Sequence, residues 1–434
     1  MKRVGHLWEE VLAYDNLLWA YHRASRGKGN KTEVKHFAGR LEENLERLRE
    51  EVDTGGFAYG YFHSFKVYEP KERVIHAAAF PERVFHHALM RVCEPVFEKR
   101  LIHHCYACRC GKGRIKALEA AGGFARANAW YVKMDVRKYF SSIPHEHVRA
   151  LLAGIFKDSR VLDAYGRILD SHHTEPGRGL PIGSLTSQHL ANQFLGTLDR
   201  HLCANKAVRG YVRYMDDIVC WGCDKTTLIE VAKTASEHLS ILGLEQKHAP
   251  AVQRSALGMD FLGARVYPSH TRLNRTSKRR YRRKLSGIIY AVAKGEIAEE
   301  EAQVRLGALT AATLHVKAWE FRTRVLSTIW SSAIGHEPGK PGRLLEQQRQ
   351  ELPLREPQQE QPGQPEQQQR LPPRPQLRPR PPNGEIRYPT GTEPAADPIP
   401  KFRDEIHPTP TRASRLVDAK PKTRVGVTFS NSHE

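Results

Sequence analysis

The sequence predicts an α+β fold over residues 1–334 followed by a disordered tail, on three observations. Apolar residues at helical spacing dominate the first 54 positions, short alternating apolar runs separated by turns fill the middle, and composition changes abruptly near residue 335. A chain of 434 residues with 40% hydrophobic content can bury a large core and suggests two to three folded domains. The formal net charge of +20 points to a polyanionic partner, nucleic acid before an anionic membrane, because clustered Lys and Arg displace counterions from phosphates. No apolar run approaches the roughly 20 residues that span a bilayer. Glu9, Glu10 and Asp15 interrupt the stretch where a secretory leader needs an unbroken apolar run. Seven cysteines, an odd number, argue against a complete disulfide framework and for a reducing compartment. No membrane partner and a cytoplasmic location are the expectation.

In chain order, Trp8, Val11, Leu12, Leu18 and Trp19 recur at helical spacing, so residues 1–54 read as a helical segment ending at the Gly55-Gly56 break. Residues 55–130 alternate short apolar runs with turns, 131–270 read as mixed α/β, and 271–334 as helical. From Arg272 the chain runs RLNRTSKRRYRRKLSGIIYAVAKG. Eight of its nine cations, Arg272, Arg275, Lys278, Arg279, Arg280, Arg282, Arg283 and Lys284, suit a helix laid along a nucleic-acid backbone. Residues 335–434 hold 19 of the 27 prolines and a net charge of only +3, which leaves +17 on the folded part. Such a tail cannot build a core. Two CxxC pairs, Cys105/Cys108 (with Cys110 following) and Cys220/Cys223, could in principle make a zinc site. They lie far apart in sequence, and buried free thiols are the simpler reading.

The chemistry concentrates in YVRYMDDIVCWG, Tyr211 to Gly222, where Asp216 and Asp217 sit inside an apolar, β-branched and aromatic run. Burying unpaired carboxylates costs several kcal/mol, so something must neutralise them. The flanks read as two strands of a hairpin turning at the aspartates. In AWYVKMDVRKYFSSI, Ala129 to Ile143, Trp130, Val132 and Met134 alternate with Tyr131, Lys133 and Asp135, as in a strand presenting Asp135 at its tip. If the strands are neighbours, three carboxylates converge. Hard oxygen ligands of this kind suit Mg²⁺, and two such ions form the clamp used for in-line phosphoryl transfer.

YMDD, Tyr214 to Asp217, resembles the signature of reverse transcriptases, and further blocks occur in that family's order: KERVIHAAAFPERVFHHAL (Lys71 to Leu89), YACRCGKG (Tyr106 to Gly113), MDVRKYF (Met134 to Phe140), GLPIGSLTSQHLAN (Gly179 to Asn192), LGLEQKHAP (Leu242 to Pro250) and FLGARVYP (Phe261 to Pro268). The PIGSLTSQ spelling is similar to that of the reverse transcriptases of diversity-generating retroelements. Cys110, where proline is expected, and the Pro/Gln/Arg-rich tail depart from the pattern.

This resemblance implies a right-hand polymerase: fingers at 55–130, a ferredoxin-like palm at 131–270 and a helical thumb at 271–334. It implies that Asp135 and Asp216 bind two Mg²⁺ ions, with Val136 in the ligand set and Asp217 a supporting carboxylate. Lys71 and Arg73 become triphosphate contacts. Phe140 becomes the steric gate against a ribose 2′-hydroxyl, and Ile182, Gly183 and Gln188 line the nucleotide site, with Gly183 letting the backbone approach the nucleotide. Lys247 is the candidate proton donor to pyrophosphate. The implied reaction is mutagenic copying of a template-repeat RNA into cDNA with errors at adenine. Its partners would be template RNA, the RNA/cDNA hybrid, dNTPs and a small basic accessory protein, in a bacterial or phage-encoded system. The alternatives are another bacterial reverse transcriptase, of group II intron, retron or phage-defence type, and a non-catalytic RNA-binding relative.

Overall fold

A computed structural model describes residues 2–68 and 72–333. The chain divides into two units, Met1–Leu354 and Arg355–Glu434, and every described residue lies in the first. Lys71 and the expected disordered tail at 335–434 therefore lie outside the described residues. No described helix is long and apolar enough to cross a membrane.

Helices α1 (Trp8–Leu12), α2 (Tyr14–Ser25), α3 (Thr32–Gly39) and α4 (Leu41–Asp53) open the chain. Trp8, Val11 and Leu12 are buried, while Leu18 and Trp19 are half-buried against the same core. The antiparallel hairpin β1 (Phe62–Val67) and β2 (Arg73–Ala78) follows. Then come two long helices, α5 (Phe80–Glu98) and α6 (Arg114–Ala127), where short runs and turns were expected. The prolines of α5 disguise it: Pro81 stands in the first turn, where its missing N–H costs nothing, and Pro95 stands near the other end. Its 3.6-residue stripe of Val84, Phe85, Ala88, Leu89, Val92 and Cys93 is buried.

The central sheet comprises β3 (Trp130–Asp135), β4 (Gly210–Tyr214), β5 (Asp217–Gly222) and β6 (Val252–Arg254). Between β3 and β4 lie α7 (Tyr139–Ser142), α8 (His145–Ala153), α9 (Ser159–Asp170), α10 (Leu185–Phe194) and α11 (Gly196–Ala204), and α12 (Lys225–Ile241) joins β5 to β6. The strand order is β4-β5-β3-β6, all antiparallel, which is the split βαβ order of a ferredoxin-like sheet. Both faces are covered. Val132, Met134, Tyr211, Ile218 and Cys220 pack with α10 to α12, while Tyr131, Val212, Val219 and Trp221 pack with α6 and a second, three-stranded sheet. Double coverage explains why the strands read as nearly unbroken apolar runs.

The second sheet, β7 (Met259–Phe261), β8 (Ala264–Val266) and β9 (Thr271–Leu273), is also antiparallel. It leads into α13 (Arg275–Ala293), α14 (Glu299–Ala311) and α15 (Trp319–Ala333), whose own small core holds Tyr281, Leu285, Ile289, Leu306 and Val325.

Candidate active site

β3 and β5 pair so that Asp135 stands directly opposite Asp217, and β4 joins β5 through a two-residue turn, Met215 and Asp216. The turn is tight because Met215 adopts φ +55°, the left-handed geometry that two-residue hairpins require. Three carboxylates thus meet at one end of the sheet. Asp216 and Asp135 share a side-chain hydrogen bond, and burial, with Asp217 and Asp135 alongside, pushes the Asp216 carboxyl up to about 6.

Two lysines neutralise the other two carboxylates. Lys247 Nζ lies 2.6 Å from Asp135 Oδ2, and Lys133 Nζ lies 2.9 Å from Asp217 Oδ1. The segment carrying Lys247 is held by backbone bonds, Lys247 N–H to Asp135 O (2.9 Å) and Arg137 N–H to Glu245 O (2.8 Å), which flank the buried Val136. Asp135 raises the Lys247 pKa above the ordinary lysine value. Lys133 has the same orientation as Asp135, two residues on, and also reaches Asp260 O and the face of Phe261. Nothing in the sequence singles it out, because a Lys alternating with apolar residues in a strand looks like an outward, solvated side chain.

Among the described residues no group of three Asp, Glu, His or Cys side chains stands ready to hold a metal ion. The donor chemistry nonetheless fits Mg²⁺: three hard carboxylates on backbone-paired strands, one of them protonated too easily for a free aspartate, and two already facing cations. The cysteines read as possible zinc ligands are free thiols, with Cys105 and Cys220 buried, Cys108 half-buried, and Cys110 and Cys223 exposed.

The remaining candidates each have contacts of their own. Phe140 is half-buried, its ring edge-on to Tyr139 at 5.8 Å, and its carbonyl accepts Leu180 N–H. Ile182 is half-buried and its carbonyl accepts His76 N–H from β2 at 2.8 Å. Gly183 has φ +111°, and a Cβ there would stand 2.6 Å from Ile75 Cγ2. The close approach that demands glycine at this position is to strand β2, where the sequence reading put the nucleotide. Gln188 accepts from Cys108 Sγ (3.4 Å), and Arg73 is exposed at the start of β2. Arg272 on β9 and Arg275, Arg279, Arg282, Arg283 and Lys284 on α13 are exposed, while Lys278 and Arg280 of α13 are half-buried. Arg272, Arg275, Lys278, Arg279 and Arg282 line a groove of about 600 Å³ together with Tyr267. Lys278 and Arg282 also sit over the Phe321 ring.

Residues 71–266 match the family model described as reverse transcriptase (RNA-dependent DNA polymerase). The chain is similar to the putative COX1/OXI3 intron 1 protein of Saccharomyces cerevisiae, 22% identical over 200 residues, which is 43% of this chain and 24% of that protein. It is equally similar to the intron 2 protein of the same yeast, 22% identical over 208 residues, covering 43% of this chain and 23% of that one. The chain spans about a quarter of the length of these relatives. Among solved structures, apo telomerase from Candida tropicalis matches with a TM-score of 0.41 and 11% identity, over 62% of this chain and 59% of that one.

Proposed function

We propose that the chain is an RNA-directed DNA polymerase, a nucleotidyltransferase, on the match of residues 71–266 to the reverse transcriptase family model, and that it copies a template-repeat RNA into cDNA with errors concentrated at adenine, as the polymerase of a diversity-generating retroelement. The observation that carries the polymerase reading is the pairing of Asp135 with Asp217 across two strands, with Asp216 hydrogen-bonded to Asp135 at the adjoining turn. The retroelement reading is supported by PIGSLTSQ, where Ile182 offers the nucleotide site a hydrocarbon with no side-chain hydrogen bond to give.

When bound at Asp135, Val136 and Asp216, with Asp217 in support, two Mg²⁺ ions would activate the primer hydroxyl and stabilise the leaving pyrophosphate. The chain's own residues do the rest. Lys71 and Arg73 hold the triphosphate, Phe140 excludes a 2′-hydroxyl by volume, and Ile182 and Gln188 border the base, while Gly183 seats the loop against β2. Lys247, while held by Asp135, is a poor acid, since its partner raises its pKa. Freed from that carboxylate it is positioned to give a proton to the leaving group. The α13 cations grip the template hybrid, and a small basic accessory protein assists in the cytoplasm of a bacterial or phage-infected cell.

A second reading, an intron-encoded reverse transcriptase, is favoured by the similarity to the two yeast intron proteins. Primer extension by the full chain on an RNA template decides the chemistry: Asp216→Asn should fold yet retain less than about a hundredth of wild-type incorporation, given the several kcal/mol that metal coordination contributes. More activity than that removes the assignment. Sequencing the cDNA decides between the two readings. Errors clustered opposite template adenine support the retroelement, and an even error spectrum supports the intron reading.

A further inference from the structure

Beneath the catalytic turn lies an ion pair that the mechanism above does not use. Arg213 on β4 and Asp199 on α11 are both 0% exposed. An apolar pair of equal volume would fill this core at less cost, and buried ion pairs are often no better for stability than such replacements. The guanidinium spends all five of its N–H groups. Nε and Nη2 hold the two carboxylate oxygens of Asp199, each at 2.6 Å. Nη1 reaches Asn192 Oδ1 (2.9 Å) and Nη2 reaches Asn192 O (2.8 Å) on α10. The last N–H, on Nη1, goes to Met215 O at 3.2 Å.

That carbonyl belongs to the peptide linking Met215 to Asp216. Fixing its oxygen fixes the peptide plane, and hence the direction of the Asp216 N–H, which bonds the Asp216 carboxylate itself. Met215 stands at φ +55° without being glycine, a conformation that persists only where neighbours enforce it. Asp199 is in turn pinned by Tyr211 Oη (2.6 Å). Asn192 is pinned by Cys105 Sγ (3.0 Å) and by its own bond to Ala107 O (2.8 Å). The chain of contacts therefore runs from rigid helices to the carboxylate at the turn.

We propose that Arg213, oriented by Asp199, is a positioning residue that sets the geometry of the Asp216 turn for metal binding. The proposal rests on the polymerase reading for its consequence in catalysis, but not for its consequence in cation binding. Two variants test it in the full chain. Arg213→Lys keeps a positive charge and loses the fork. The triple change Arg213→Met, Asp199→Leu and Tyr211→Phe replaces the ion pair and the hydroxyl bonded to it by apolar groups of similar size and leaves Asn192 its bonds to Cys105 and Ala107, which protects folding. Circular dichroism and thermal melting establish which variants are folded. Mn²⁺ binding without nucleotide, followed by electron paramagnetic resonance, and primer-extension kinetics then report the site.

The expected result is a triple variant that melts within a few degrees of wild type, binds Mn²⁺ about tenfold more weakly, and loses about 10- to 100-fold in kcat while KM for dNTP moves less than about threefold, as misplacing a reacting group by a fraction of an ångström does. Arg213→Lys should recover part of the Mn²⁺ affinity. A folded triple variant with wild-type Mn²⁺ affinity overturns the proposal, whatever its stability. A wild-type chain that extends no primer overturns the polymerase reading instead, and the Mn²⁺ comparison still judges Arg213.

Discussion

Glu82 and His86 face each other one turn apart on α5, Oε1 to Nε2 at 3.5 Å, both buried. Neither atom has another hydrogen-bond partner, while Glu82 Oε2 accepts Gly60 N–H at 3.0 Å. Burial pushes Glu82 up to about 7 and His86 down to about 3, so both favour their neutral forms in the fold. A neutral Glu82 can donate to a neutral His86, which accounts for both orphaned atoms at once. Because the folded pKa of Glu82 lies above its unfolded value, its contribution to stability is complete below about pH 4.5 and declines as pH rises through about 7. Gln imitates the protonated acid. Glu82→Gln should therefore leave stability near pH 5 little changed and raise it at pH 8, by up to roughly 3 kcal/mol if the whole shift is realised. Urea unfolding at the two pH values checks this, and a variant less stable than wild type at pH 8 would show that the pair works as an ion pair. The same scale separates what could be read in advance from what could not. Asp135, Asp216 and Asp217 were legible because carboxylates in apolar strands need an explanation. Lys133, Asp199 and the role of Arg213 were not, since each matters through a partner far away in sequence, at separations that periodicity does not report.

At the scale of elements, the contact between β2 and the loop before α10 joins the hairpin to the catalytic sheet's surroundings. His76 N–H donates to Ile182 O, and Gly183 leaves no room for a side chain against Ile75. Gly183→Ala meets two obstacles, a positive φ worth about 1–2 kcal/mol and a Cβ 2.6 Å from Ile75 Cγ2. The hairpin should lift from its seat, seen as faster hydrogen exchange at His76 N–H and at least tenfold slower primer extension. Adding Ile75→Ala should recover only part of both, because it removes the collision and not the backbone strain. Wild-type exchange in Gly183→Ala would mean that β2 is not seated there. The strand ending at Asp135 follows from alternation, but α5 does not, because Pro81 and Pro95 look like breakers until one sees that each lies near a helix end.

Across the whole molecule, the +17 carried by residues 1–334 is concentrated where α13 and the second sheet form their groove. Replacing the exposed Arg272, Arg275 and Arg279 by Gln should leave the melting temperature nearly unchanged, since none is part of a core. It should flatten the dependence of log affinity for an RNA/DNA hybrid on log salt by roughly two, at about 0.7 to 0.9 per lost phosphate contact. A filter-binding titration from low to moderate salt measures the slope, and an unchanged slope would move the nucleic acid to another face. The ferredoxin-like order of the central sheet carries a different consequence, for solubility. A polymerase cleft has to stay open, and an open sheet offers its unpaired strand edges to other chains. Here β4, at one edge, is closed by the stretch His104–Tyr106, through Arg213 N–H to His104 O and Tyr106 N–H to Arg213 O, and β6, at the other, is only three residues long. The segment that braces β4 from outside thus also denies the backbone of this folded sheet's edge to a neighbouring chain.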